Sequence, residues 1–241
     1  MRYGIFADIH GNLEAFSAVL GALANEKIDE YLCIGDIIGY GANPCECLER
    51  LKTLSFQSVS GNHEYAALGL LSLDYLNDYA RTAVLWTKNI LKDKDMDFLK
   101  SPNLVFKNDD LVMVHGSLDN PDYFSYLFSP YESKETFKLL DKTVCFIAHT
   151  HNPKIFVKRD VIISLVYGNT VKISPEYKYV VNIGSVGQPR DGDNKASYCV
   201  YDTKDMSVEI KRVPYDIKSA QKKILDAGLP KFLADRLGTG K

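Results

Sequence analysis

The first sixty residues switch repeatedly between two periodicities, and that alternation restricts the fold more than any other feature of the chain. RYGIFADI is a short apolar run of β-formers, after which Leu13, Phe16, Val19, Leu20 and Leu23 recur at helical spacing. Tyr31 to Ile34 is again strand length and stops at a Gly-rich stretch, GDIIGYGAN. Pro44 then opens a helical segment with Leu48 and Leu51 on one side, and FQSVS makes a third strand that ends at Gly61. Strand and helix alternating at this spacing predict βαβ units and a largely parallel sheet.

Beyond Gly61 the pattern changes twice. Glu64 to Lys100 reads as mostly helical, with Tyr79, Ala83, Trp86, Ile90 and Leu91 close to one stripe, and is expected to cap one end of the sheet. After Pro102 come strands at Leu104 to Phe106 and Leu111 to His115, a helix over Glu132 to Leu140, and a strand at Val144 to Ala148. Pro153 to Val213 reads as strands and turns only, the expected second sheet, and Tyr215 to Leu237 closes the chain with helix. With no internal repeat or linker, the expectation is a single α/β domain over residues 1–241, two packed mixed sheets flanked by helices.

Composition removes several classes of function. The 29 Lys and Arg against 31 Asp and Glu give a formal charge of −2, and the densest basic stretch, Lys218, Lys222 and Lys223, has the spacing of one solvated helix face. A long nucleic acid is therefore not an expected partner. Apolar runs such as Val161 to Val166 fall far short of a membrane span, and MRYGIFADIHG reaches Asp8 and His10 too early for a secretory leader, so a cytoplasmic setting is expected. The five cysteines contain no C-x-x-C pair and mostly lie in apolar stretches, as reduced packing residues do.

All five histidines fall where a predicted strand or strand-loop junction gives way to a polar loop: FADIHGN, SGNHEY, LVMVHGS and FIAHTH. Asp36 ends the second strand in LCIGDIIG. Binding sites of α/β sheets lie outside the carboxyl ends of the strands, so these side chains are expected along one rim. Asp8 with His10, and His149 with His151, are two apart, which in a strand gives each pair one face. Burying several imidazoles and carboxylates together leaves polar groups unpaired, whereas a pair of divalent ions satisfies them.

The ordered set D-x-H-G-N at Asp8 to Asn12, G-D at Gly35 and Asp36, G-N-H-E at Gly61 to Glu64, the lone strand-end His115 and H-T-H at His149 to His151 resembles the calcineurin-like metallophosphoesterases. GDIIGYG and the loop Ile183 to Asp193 are most similar to a bacterial and archaeal branch that includes phosphodiesterases and diadenosine polyphosphate hydrolases. The resemblance implies that Asp8, His10, Asp36 and His151 hold one metal while Asp36, Asn62, His115 and His149 hold the other, with Asp36 bridging. It further implies that His63 protonates the leaving oxygen and that a metal-bound hydroxide attacks. The implied substrate is a small phosphodiester or nucleotide. Mixed imidazole, carboxylate and amide donors suit Mn, Fe, Zn, Ni or Co alike, and Mn is the expected ion.

Two departures from the family pattern bear on substrate. Ala148 stands where the family usually has Gly before H-T-H, which matters only if that position needs a positive φ. Gly39 and Tyr40 occupy the places where the serine/threonine phosphatases of the superfamily carry an Asp and an Arg, which disfavours a phosphoprotein phosphatase, the alternative enzyme reading. Arg190 is a candidate substitute for contacting substrate. A non-catalytic scaffold, as in the retromer subunit of this fold, has no use for the complete donor set and His63 retained here. The aromatics Tyr123, Phe124, Tyr126 and Phe128 are expected to pack in the core or a lid, or to stack on a ring of the substrate.

Overall fold

The computed structural model describes residues 1–241. Its strands are β1 (Arg2–Phe6), β2 (Glu30–Cys33), β3 (Phe56–Ser58), β4 (Val105–Lys107), β5 (Val112–Val114), β6 (Val144–Ile147), β7 (Lys154–Arg159), β8 (Ile162–Val166), β9 (Thr170–Lys172), β10 (Lys178–Asn182), β11 (Ala196–Asp202) and β12 (Ser207–Val213). The helices are α1 (Leu13–Leu23), α2 (Pro44–Leu51), α3 (Asn62–Leu68), α4 (Asp78–Ile90), α5 (Asp93–Leu99), α6 (Lys134–Leu139), α7 (Ile217–Asp226) and α8 (Lys231–Thr239).

Two six-stranded sheets run in the orders β3-β2-β1-β11-β12-β9 and β4-β5-β6-β10-β7-β8. The βαβ alternation gives the parallel set β1, β2 and β3, but β11 joins β1 antiparallel, so the sheet is mixed rather than largely parallel. Residues 153–213 do not form a sheet of their own. Their strands divide, β7, β8 and β10 completing one sheet and β9, β11 and β12 the other.

Alternation along each strand builds the layers. Tyr3, Ile5 and Ala7 of the β1 region face Val144, Phe146 and Ala148 of the β6 region in a core between the sheets. The intervening Phe6 turns outward onto Phe16 of α1, ring centroids 5.3 Å apart, in a second core beneath α1 to α5. Cys145 and Ile147 turn the other way onto Phe137 of α6. Strands buried on both faces read as unbroken apolar runs, which is why they were legible without alternation.

Three helices differ from their sequence patterns. In α4 the buried residues are Ala80, Ala83, Val84 and Thr87, while Tyr79 and Ile90 are exposed. Small residues let α4 approach α3 closely, and Ala80 and Ala83 share a cluster with Leu233 and Leu237 of α8, on which Tyr79 stacks through Phe232 at 4.5 Å. The C-terminal helix is two helices, broken at Gly228 (φ +70°) before Pro230. The helix expected from Glu132 begins at Lys134. Cys33, Cys47, Cys145 and Cys199 are buried and unpaired, and no helix is long and apolar enough to cross a membrane.

Candidate metal centre

The loops after β1, β2, β5 and β6 and the start of α3 meet on one rim. There Asp8, His10, Asp36 and His151 bring ligand atoms within 4.8 Å of one another, as do Asp36, His115 and His149, and all are buried. Asp36 belongs to both groups. One of its oxygens, Oδ1, accepts the His63 N–H at 2.9 Å, and the other lies 3.2 Å from His115 Nε2 and 3.6 Å from His10 Nε2.

This convergence is not produced by strand alternation. The strands end at Phe6 and Ile147, and Asp8, His10, Asp36, Tyr40, His149 and His151 have left-handed backbones, with φ of 51°, 50°, 51°, 55°, 67° and 56°. Each such non-glycine residue costs on the order of 1–2 kcal/mol, so surrounding structure must fix it. The expectation that His149 and His151 share a strand face is thereby corrected: the turn sends them to different groups. Ala148 does not have a positive φ, so the absent glycine brings no strain.

Backbone and carboxylate contacts hold these turns. His10 N donates to the Asp36 carbonyl at 2.9 Å, and Gly187 N donates to the Asp8 carbonyl at 2.8 Å. A Cβ on Gly187 would lie 1.9 Å from the Ile9 carbonyl oxygen, so only glycine lets the Ile183 to Asp193 loop pass this close. Glu64, buried at the third position of α3, accepts the N–H groups of Asp36, Ile37, Ile38 and Gly61 at 2.8 to 3.2 Å. Burial and then the Asp36 charge push its carboxyl up to about 7, against the Gly61 hydrogen bond. Four donors on two oxygens nonetheless suit the ionised form.

The imidazoles are oriented by carbonyls. Nδ1 donates to Ile38 O from His10 (3.0 Å), to Ile34 O from His115 (2.6 Å) and to Gln188 O from His151 (2.6 Å), which leaves each Nε2 facing inward. Burial pushes His10, His149 and His151 well below the ordinary histidine value, so they are neutral. Two bare Nε2 lone pairs, of His10 and His151, therefore face each other 3.1 Å apart. Burial pushes His115 down as well, but Asp36 outweighs it and carries the ring up to about 10. Burial likewise pushes Asp8 up to about 8, whereas Asp36 is held well below the carboxylate range because His115 and His63 outweigh its burial.

Buried polar atoms without partners mark what the cluster lacks. They include Asp8 Oδ1, Asn62 Oδ1, His63 Nδ1 and Arg190 Nε. A cation accepts lone pairs from Asp8 Oδ1, from Asn62 Oδ1 and from the facing imidazoles, so this donor set fits divalent metal. His63 sits at the second position of α3, with ring centroids 4.6 Å from His10 and 4.5 Å from Tyr40. Burial pushes it down to about 4. Arg190 makes no ion pair with Asp8 or Asp36. Its guanidinium lies 5.6 Å from the centre of the Tyr40 ring, which packs on His10, and its Nη2 donates to Gln188 Oε1.

A cavity of about 710 Å³ opens beside Asn62 and His149. Its wall carries Tyr65, Tyr75, Tyr123, Phe124, Tyr126 and Asp122, and Tyr126 stacks on His149 at 4.0 Å. Of the aromatics noted in sequence, Phe124 is buried while Tyr123, Tyr126 and Phe128 are exposed. Glu64 and Gln188 fall within the G-N-H-E motif and the Ile183 to Asp193 loop, but their roles were not legible, and Arg236 was not legible at all. Glu64 left one further signal, a Glu three places after Gly61 at a helix start; Arg236 acts through Gln188, 48 positions away.

A family model described as the calcineurin-like phosphoesterase superfamily domain matches residues 1–206. An uncharacterized protein of Methanocaldococcus jannaschii is 43% identical over 241 residues, covering 98% of this chain and 97% of that protein. The crystal structure of a metallophosphoesterase from Sphaerobacter thermophilus superposes with a TM-score of 0.87 at 36% identity, covering 100% of this chain and 99% of the other. A protein of Pyrococcus horikoshii shares the fold with a TM-score of 0.80 at 19% identity, over 100% and 98% of the two chains. With two independent likenesses spanning nearly its whole length and a family model covering most of it, the chain belongs to the calcineurin-like phosphoesterase superfamily.

Proposed function

We propose that the protein is a dinuclear metal-dependent hydrolase of small phosphodiesters or nucleotides. Asp8, His10, Asp36 and His151 hold one cation in this reading, and Asp36, Asn62, His115 and His149 hold the second. The observation that carries it is the pair of facing Nε2 lone pairs on His10 and His151, beside the unpartnered Asp8 Oδ1. When bound, two divalent cations supply Lewis acidity, lowering the pKa of water and neutralising charge on a phosphoryl group. Mn is the expected ion, with Fe, Zn, Ni or Co able to use the same donors.

The chain's own residues supply the rest. In this reading His63, buried against His10 and Tyr40, gives a proton to the leaving oxygen, and an anionic phosphoester beside it would raise its pKa from the low value that burial imposes. The aromatic cavity beside Asn62 and His149 suits the organic part of an ester. A phosphoprotein phosphatase is disfavoured because a Cβ on Gly39 would come 2.1 Å from His63 Nδ1, leaving no room for the supporting Asp.

Hydrolysis of bis-p-nitrophenyl phosphate, p-nitrophenyl phosphate and a phosphopeptide with added Mn tests the reading. Diester turnover is expected, abolished by chelation. Asp36→Asn should lose metal, measured by elemental analysis, whereas His63→Ala should keep it and lower turnover by about 10² to 10⁴. Metal-loaded protein inactive on small esters, or a His63→Ala variant as fast as the parent on a poor leaving group, would count against it.

A further inference from the structure

Two arginines meet just outside the cluster without an acid between them. Gln188 Oε1 accepts from Arg190 Nη2 at 2.7 Å and from Arg236 Nη1 of α8 at 2.9 Å. Neither guanidinium is paired with an Asp or Glu, although Arg2, Arg81 and Arg212 are; Arg50 and Arg159 are unpaired too, but they bond Ser17 and stack on Tyr177 away from the cluster. Arg190 Nε is buried with no acceptor at all. Burial and then the Arg190 charge push Arg236 down to about 10. Arg236 Nε donates to the Lys241 oxygen at 2.8 Å, so the donor left without an acceptor is Arg190 Nε, and an anion between the two heads would supply one.

The position says which anion. Gln188 is itself buried, and its carbonyl accepts from His151 Nδ1, while Arg190 N donates to the His151 carbonyl at 3.0 Å. The pair is therefore tied to the ligand cluster but stands one side chain away from it, with Tyr40 packed against His10 and His63 and Arg190 over the Tyr40 ring. The aromatic cavity adjoins the other group, at Asn62 and His149. We infer that Arg190 and Arg236, held by Gln188, form a second anion subsite that takes a phosphate one or two groups removed from the scissile one, so that preferred substrates carry more than one phosphate. Planar guanidinium forks match phosphate oxygens in pairs. The inference rests on the hydrolase reading for where the scissile phosphate lies.

The test compares inhibition of bis-p-nitrophenyl phosphate hydrolysis by AMP and by β,γ-methylene adenosine triphosphate, with free Mn held constant. The triphosphate analogue should bind about tenfold or more tightly than AMP, and Arg236→Gln should remove most of that advantage. Arg236→Lys, which keeps the charge and loses the fork, should remove part of it and serves if the Gln variant does not fold. Lys231→Gln, on the same helix but paired with Asp235 at the surface, should leave it unchanged. An advantage equal in the parent and both Arg236 variants, or absent in the parent, overturns the subsite. If no ester is hydrolysed, the hydrolase reading fails alone, and calorimetric titration of inorganic tripolyphosphate into the full chain decides the subsite. Binding weakened about tenfold by Arg236→Gln supports it; equal or absent binding overturns it.

Discussion

Gly39 determines what His63 can be. Its φ of +89° already favours glycine, and the space a Cβ needs is taken by the imidazole, 2.1 Å from Nδ1. Gly39→Ala is expected to cost about 1–2 kcal/mol in urea unfolding and to displace His63, so turnover on an ester with a poor leaving group should fall more than on an activated one. The candidate donor residues were legible in sequence, because a cation cage demands particular atoms and few other sites collect four histidines just after strand ends; His63 lies instead in the first turn of α3. Their left-handed backbones were not, since Asp8 or His149 carries no local mark of the turn that packing imposes on it. Nor was Arg236, whose partner Gln188 is 48 positions away.

At the scale of elements, α3 is anchored by one carboxylate. Glu64 ties the first turn of the helix to the loop after β2 through four backbone donors, and so sets Asn62 and His63 against Asp36. Glu64→Gln replaces an acceptor oxygen with an amide that confronts N–H groups. A loss of about 2–4 kcal/mol in urea unfolding is expected, together with weaker metal retention on dialysis. Strands β1, β5 and β6 were legible because burial on both faces leaves short apolar runs. Which sheet each strand joins was not: β7 and β11 lie in different sheets, and only the chain's crossings between layers assign them. In α4 the buried face is marked by alanines, which the larger exposed Tyr79 and Ile90 obscure in a hydrophobic stripe.

At the scale of the whole molecule, the donor residues come from both sheets. Asp8, His10 and Asp36 follow β1 and β2 of one, and His115, His149 and His151 follow β5 and β6 of the other. We propose that the chain folds as one domain, so thermal unfolding should be a single transition. Chelation should lower its midpoint: each cation held at 100-fold excess over its Kd contributes about 2.7 kcal/mol. At roughly 2–4 °C per kcal/mol for a chain of this size, loss of both predicts a fall of about 10 °C or more by calorimetry. Two separate transitions, or an unchanged midpoint in protein shown to have carried metal, would contradict this. The loop from Ile183 to Asp193 passes from β10 in one sheet to β11 in the other directly over the turn at Asp8. Cations held at that crossing would act as rivets through two plates: a slip of one sheet past the other would pull the imidazoles off the carboxylates, and a filled cage would lock the plates in register.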